Sequence, residues 1–453
     1  MSGLAAGIRL SHYDKNVCIL EKHFRSGGLN SFYKRDGRTI DTGLHAMTNF
    51  VGPEASKSSP LLKLLRQLRL KYDEFELLSQ NFSTVSFSGA ELKFSNDFSL
   101  LEGEVSRLFP SESENFMGLC SFLNELNAFD LGAGFVSARS EVCKYIKDPL
   151  LIEMLFCPLM LYGSAVENDM DLSQFAIMFR SIFIEGFCRP SGGVRKIISA
   201  LERRFSESGG KLMKKCEVRK IVSDSGAVKS IVLDSGEELE CKALLSTAGL
   251  PETLRLIDPP LDDTSKFPPG EMSFIESVFI LPKGTIPADY KTTIQFFNDS
   301  RSFAYRKPDS PFDSSSGVLC CPANFKGSTE FENEDLLRVT MIARHEPWFS
   351  ANPDEYSSMK EKVLDVTART CERRVGIPGF RDKVIFSDIF TPRTVSRFTG
   401  RINGAVYGSP AKLKDGRTPL KNLFICGTDQ GFLGITGAML SGVSMANMHL
   451  LVL

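Results

Sequence analysis

The chain opens on a helix of small residues, Leu4, Ala5, Ala6, Ile8 and Leu10, which leads into a short apolar run from Asn16 to Leu20 ending at Glu21, after which Gly27-Gly28 breaks the chain. A helix followed at once by a buried strand and a glycine turn is the grammar of an α/β protein, where helices cover a largely parallel sheet. This order restricts the fold more than any other feature of the sequence.

The remaining punctuation is consistent with it. From Ser31 to Ile40 the spacing around Asp36-Gly37 predicts a hairpin. Residues 60–70 and 150–161 read as helices, and Gly192-Gly193 precedes an amphipathic helix from Val194 to Phe205 that ends at Gly209-Gly210. Three strands, 215–222, 227–233 and 238–246, then read as a β-meander. Residues 270–390 alternate strand-like runs, such as Ser273 to Leu281 and Leu337 to Ile342, with Pro, Ser and Asp-rich loops, and read as a second domain. The last segment carries a buried strand from Asn422 to Cys426, the turn Gly427-Thr428-Asp429, and a closing helix from Ala438 to Leu451.

Composition excludes several classes of function. Lys plus Arg number 54 against 55 Asp plus Glu, a net charge of -1, so the basic footprint of a nucleic-acid binder is absent. Hydrophobic residues at 42% and charged residues at 24% are those of a globular protein in 453 residues, room for two or three domains. The 11 cysteines include no C-x-x-C and no Cys/His cluster, which predicts free thiols in a reducing, cytoplasmic setting and no metal site. No secretory leader is read at Met1 to Leu10. The densest apolar run, Met154 to Tyr162, is far shorter than the roughly 20 residues that span a bilayer. Met154 to Leu161 is expected instead to offer a lipid-facing patch for peripheral membrane contact.

The motifs are more specific. Ser2-Gly3-Leu4-Ala5-Ala6-Gly7 resembles the end of a G-x-G-x-x-G dinucleotide fingerprint, with Gly3 as its third glycine. The first glycine of such a motif would lie about 23 residues before Glu21, near the roughly 20 expected of a carboxylate that binds ribose hydroxyls. The succession Glu21-Lys22-His23-Phe24-Arg25-Ser26-Gly27-Gly28, Arg35-Asp36-Gly37 and Asp41-Thr42-Gly43-Leu44-His45 resembles the flavoprotein superfamily of phytoene desaturases, carotenoid isomerase and retinol saturase, with amine oxidases as more distant relatives. Pro190-Ser191-Gly192-Gly193, Gly209-Gly210 before Glu217-Val218, Ser246-Thr247-Ala248-Gly249, and Gly427-Thr428-Asp429 through Gly434-Ile435-Thr436-Gly437-Ala438 extend the likeness in order across the chain.

The resemblance implies a discontinuous FAD-binding Rossmann-like domain of the two-dinucleotide-binding type (1–75, 186–268 and 395–453) and an inserted α+β substrate domain (76–185 and 269–394). FAD would be held at Gly3, Glu21, Lys22, Arg25, Gly27 and Gly28 toward the adenosine, and at Val218 by the adenine edge. Ala248 belongs to the same set, and Gly43 and His45 would bring backbone near the flavin. Gly427 and Asp429 would take the ribityl chain, and Gly434, Ile435, Gly437 and Ala438 would aim a helix N-terminus at the ring. The implied activity is hydride transfer between flavin N5 and a carbon-carbon bond of an apolar, polyene-like small molecule, with no catalytic side chain assigned.

The strand and the first two glycines that normally precede this motif are absent, and an upstream start is the expectation. Leu29 stands where amine oxidases commonly have Arg, which favours the desaturase branch; amine or amino-acid oxidation is the alternative, and a cofactor-free truncated homologue a further one. Gly132-x-Gly134 reads as a loop, so no second nucleotide site is expected, and Arg344-His345-Glu346 is assigned no role.

Overall fold

Small residues let the first helix sink into the protein. In the computed structural model, which describes residues 1–43, 46–52 and 59–453, helix Ser2–Ser11 buries Leu4, Ala5, Ala6, Ile8 and Leu10 against helices Gly434–Met445 and Arg195–Glu207. The approach is closest at Gly442, where an added methyl would run into the carbonyl oxygen of Ser2.

Strand Cys18–Glu21 leaves that helix and pairs in parallel with Lys211–Lys214, and Leu244–Ser246 pairs in parallel with Leu423–Ile425. Among the described residues these are two separate two-stranded pieces, and residues of both line one cleft. Helices and parallel strands thus alternate as the opening predicted. The hairpin forms from Phe32–Arg35 and Arg38–Asp41 with Arg35 opposite Arg38, its turn carried by positive φ at Asp36 (49°) and Gly37 (76°), the geometry of a type I′ turn.

The predicted meander is corrected at both ends. Its first strand starts at Val218, because Lys215 takes a left-handed φ of 56° and turns the chain, while Lys211–Lys214 is already engaged with Cys18–Glu21. Its third strand is only Glu238–Glu240, and the chain from Leu244 crosses to Leu423–Ile425 instead.

The second layer is a seven-stranded sheet in the order Phe386–Phe390, Ser273–Pro282, Glu334–Ala343, Ser316–Cys320, Thr292–Asn298, Phe82–Phe87 and Ala90–Phe94. Alternate side chains sort its two faces. Phe274, Phe296 and Val318 join the core built on helices Pro149–Gly163 and Leu172–Phe179, whereas Ile275, Phe297 and Leu319 join the core under helix Pro353–Cys371. The run from Met154 to Leu161 lies inside helix Pro149–Gly163, and every residue of it is buried. The expectation that it faces lipid is therefore wrong: a helix apolar all round is buried in a core here. Among the described residues no helix is long and apolar enough to cross a membrane.

Helical glycines usually gain from becoming alanine, by about 1 kcal/mol. Gly442→Ala should instead lose about 2 kcal/mol, because two backbones must separate to admit the methyl. Gly103→Ala, in the exposed middle of helix Phe98–Leu108 with nothing near its missing Cβ, should gain the usual amount. Thermal melts of the two variants check this, and equal shifts in both would refute the close approach.

Candidate active site

One cleft of about 1940 Å³ joins the parallel strands, the hairpin, the first turn of helix Gly434–Met445 and the inner face of the large sheet. That exceeds the roughly 300 to 1,000 Å³ of an ordinary small-molecule site, leaving room for a dinucleotide and a second ligand. Gly3, Glu21, Lys22, Arg25, Gly27, Gly28, Gly43, Val218, Ala248, Gly427, Gly434, Ile435 and Ala438 all line it. Residues read from distant parts of the sequence thus meet in one cleft. His45 lies outside the described residues.

Local interactions define what each group has to offer. One Glu21 oxygen accepts the His23 amide at 2.9 Å, and the other has no protein partner among the described residues. Arg25 is held in place, its guanidinium 4.6 Å from the Phe32 ring centroid and 2.7 Å from the Phe32 carbonyl oxygen. Gly28, at φ 61°, has open space where a Cβ would stand. The helix starting at Gly434 has neither a side-chain cap nor an acidic residue in its first turn. Its leading N–H groups are thus open to a ligand acceptor.

Two residues are not brought to the wall. Gly437 turns toward Phe432, where its Cβ would stand 3.3 Å from that residue's backbone. Asp429 is buried behind the cleft with its carboxylate already occupied. It accepts the Leu250 amide at 2.6 Å, the Ser409 amide at 2.9 Å and Arg401 at 2.9 Å. A carboxylate so filled organises chain, and the acidic residue of the Gly427-Thr428-Asp429 turn does that in place of facing the cleft.

Sequence reasoning did not single out Arg401 or Lys412, which share this cluster. Burial lowers the Lys412 ammonium to about 8, with Arg401 adding to the fall and Asp429 opposing it. For Asp429, burial is outweighed by the two cations, which hold its carboxyl below the usual range. Nothing in the spacing of Arg401 and Lys412 announces a partner at 429. Nor did the sequence mark Tyr162, Glu276, Thr340 and Tyr407, which line the cleft at the large sheet. His345 and Glu346 do come together with Glu271, but the Lys307 ammonium bridges the two carboxylates at 2.7 and 2.9 Å, making this an ion-pair cluster.

Comparison with known proteins adds the decisive observation: the sequence profile of flavin containing amine oxidoreductases matches residues 1–448. The chain belongs to that family. Among its curated relatives, prolycopene isomerase 2 of an Oncidium hybrid cultivar is 24% identical across 99% of this chain and 82% of its own length. All-trans-retinol 13,14-reductase of Danio rerio is 23% identical across 99% of this chain and 85% of its own. An oxidoreductase of Methanosarcina mazei shares the fold, with a TM-score of 0.66 at 15% identity over 99% of this chain and 98% of that one.

This flavoprotein is an FAD-dependent oxidoreductase, and its cleft passes a physical test for that cofactor. The dinucleotide is long, anionic at its middle and rich in acceptors at its ring. The cleft is long, has a backbone approach with no side chain at Gly28, and presents an uncapped helix start at Gly434. A carboxylate oxygen without a protein partner stands at Glu21, suited to hydroxyl donors.

The buried cation at Lys412 makes a pH-dependent prediction. Its folded value, about 8, lies below the ordinary 10.5, so the cost of burying its charge is fully present below pH 8 and is released as pH rises toward 10.5. Wild type should therefore gain stability on Lys412→Met across that window, by on the order of 3 kcal/mol. Paired denaturation curves at pH 7 and above pH 10 measure it, and a constant gap would contradict the assignment.

Proposed function

We propose that this family member moves hydride between FAD and a carbon-carbon bond of an elongated apolar polyene, in the manner of a desaturase, saturase or isomerase. The observation that carries the reading is continuity: the cleft holding Glu21 and Gly434 extends without a break into a chamber walled by Leu161, Met178, Phe274, Val318 and Phe390. An apolar chamber beside a nucleotide cleft suits a substrate with little to hydrogen-bond, and it excludes water from the reacting carbon. Two relatives covering 99% of the chain, named for prolycopene and for retinol, support a polyene over an amine.

Bound FAD would supply the hydride-accepting N5 and the electron storage of the reaction. The chain's own residues do the rest. Glu21 receives the ribose hydroxyls, and Gly27 and Gly28 admit the pyrophosphate to the backbone. Val218 borders the adenine, and Gly3 and Ala248 bound the same groove. Gly43 and Gly427 bring backbone to the ring and ribityl chain. The first turn of helix Gly434–Met445, with Ile435 and Ala438, offers N–H groups where reduced flavin carries negative charge, favouring hydride acceptance.

Purified full-length protein loaded with FAD should be yellow, and anaerobically a carotenoid or retinoid should bleach the oxidised flavin (desaturase), restore colour to the pre-reduced flavin (saturase) or be isomerised with no net change in flavin colour (isomerase), while an amine panel yields no peroxide. Glu21→Ala should weaken FAD by roughly tenfold to a hundredfold, the worth of hydrogen bonds to a charged group. A folded protein that takes up no FAD, or peroxide from amines, would sink the reading.

Delivery of such a substrate from a lipid surface, by a protein otherwise in the cytoplasm, is part of the proposal. The loop after helix Ser113–Glu125 exposes Phe129 (55%), Phe135 (60%) and Val136 (43%). Phe129 stacks on Phe432, whose neighbour Leu433 lines the chamber. Exposed aromatic tips beside an apolar chamber suit shallow insertion at a membrane interface. Phe129→Asp with Phe135→Asp should abolish flotation with phosphatidylcholine liposomes and leave FAD content unchanged; wild-type protein that never floats removes this part.

A further inference from the structure

Three tyrosines stand around the end of helix Pro149–Gly163. Tyr305 donates to the Ser164 carbonyl oxygen at 2.6 Å, and Tyr407 donates to the carbonyl oxygen of Leu161. Tyr162 lines the cleft, yet its hydroxyl is buried and meets no hydrogen-bond partner among the described residues. Its ring packs against those of Phe187 and Phe296, with centroids 5.1 and 5.6 Å away. The phenol is therefore held in place with its proton uncommitted. A buried hydroxyl without a partner destabilises a fold, and such costs collect where a protein does its chemistry.

Its neighbours give the position a meaning. The next residue, Gly163, packs so closely that an added Cβ would stand 2.7 Å from Leu433 Cδ1, and Leu433 directly precedes the helix start at Gly434 assigned above to the flavin ring. Tyr162 thus stands where the cofactor groove gives way to the apolar chamber. Burial pushes its phenol well above the usual range, Cys320, Tyr407 and Glu276 add to the rise, and Arg338 opposes it. Such a phenol keeps its proton at neutral pH. It is an acid toward a strongly basic centre and a poor base.

We propose that Tyr162 is the proton donor of the reaction, delivering its hydroxyl proton to a carbon of the substrate double bond, so that the bond is reduced. The inference rests on the polyene reading above and deepens it by assigning an acid and a direction. As hydride from reduced flavin arrives at one carbon, the electron pair of the double bond gathers on the neighbouring carbon. A C–H bond forms there as the Tyr162 O–H bond breaks. The double bond becomes a single bond with two new C–H bonds, the flavin is oxidised by two electrons, and the phenolate regains a proton from water entering as the product leaves. Until then the dry wall reserves the proton for the substrate.

The test uses FAD-loaded full-length protein, reduced anaerobically and mixed with all-trans-retinol or lycopene. Wild type should recover its yellow colour as the polyene is reduced. Tyr162→Phe should slow that recovery by about a hundredfold or more, the worth of a positioned general acid. The same variant should bind the polyene with unchanged affinity by fluorescence titration and melt no lower than wild type, since it removes only an unpartnered hydroxyl. Tyr305→Phe, which takes a donor from the Ser164 carbonyl, should melt lower and keep the rate. Fluorotyrosine in place of Tyr162 keeps the ring and hydroxyl but is a stronger acid, and it should speed the recovery, which a packing role would not do. Should Tyr162→Phe fail to fold, the fluorotyrosine protein decides. Full rate in Tyr162→Phe, an unchanged rate with fluorotyrosine, or wild type that binds a polyene and never reduces it overturns the inference. Binding of neither polyene to protein that carries FAD overturns the polyene reading itself, and this inference falls with it.

Discussion

The buried carboxylate of Asp429 fixes the relative positions of the cleft's far wall. Its oxygens take N–H groups from Leu250 and Ser409 and the guanidinium of Arg401, and Arg401 in turn reaches Glu252 at 3.4 Å. Three chain segments far apart in sequence, around 250, 401–412 and 429, meet at this one group. Each continues directly into cleft-lining residues: Ala248, Ile402 and Gly427-Thr428. An unsatisfied buried carboxylate would be very costly, so the three segments cannot drift apart independently. Gly408 is part of the same constraint, since a Cβ there would strike an Asp429 oxygen.

At the end of the hairpin a second carboxylate plays a comparable part. Asp41, at the end of the hairpin, accepts the Val194 amide at 3.2 Å and Arg189 at 2.6 Å, with side-chain exposures of 1% for Asp41 and 4% for Arg189. This joins the hairpin to the start of helix Arg195–Glu207 and, through Arg189 and Glu330, to the loop before the sheet strand Glu334–Ala343. A Cβ at Gly193 would collide with the same carboxylate, which explains the glycine pair before that helix in terms of packing. Cofactor groove and chamber are therefore braced by two buried acids, neither of which needs to touch a ligand.

That division also explains what could be read from the sequence. Features settled by neighbours along the chain were legible: the Asp36-Gly37 hairpin, the amphipathic helix after Gly192-Gly193, the strand Ala227–Leu233. The glycines and Glu21 were legible as a cleft because backbone approach and strand ends follow local rules. Pairing of Leu244–Ser246 with Leu423–Ile425 was not, since a three-residue apolar run carries no information about a partner so remote. The partners of Asp429 were not legible for a similar reason: a turn acid facing a ligand and one facing Arg401 have the same sequence. Met154 to Leu161 misled because an all-round apolar helix is equally compatible with lipid and with core, and only the surrounding helices and sheet decide.

The geometry also bears on why reaction chemistry left so faint a trace in the sequence. Hydride transfer to a cofactor asks the protein for alignment and dryness more than for a titrating side chain. Those demands fall on the shape of an apolar wall, which many residue combinations can build, and on backbone N–H groups, which every residue has. Specificity is different, because a buried polar group without its substrate partner is penalised, so selectivity requires particular atoms. On the sheet side of this cleft, register sets Glu276 beside Thr340, a juxtaposition of residues more than sixty positions apart that no local pattern encodes. The cofactor end can thus be read as a motif, whereas the sheet side of the cleft becomes visible only once the strands are paired.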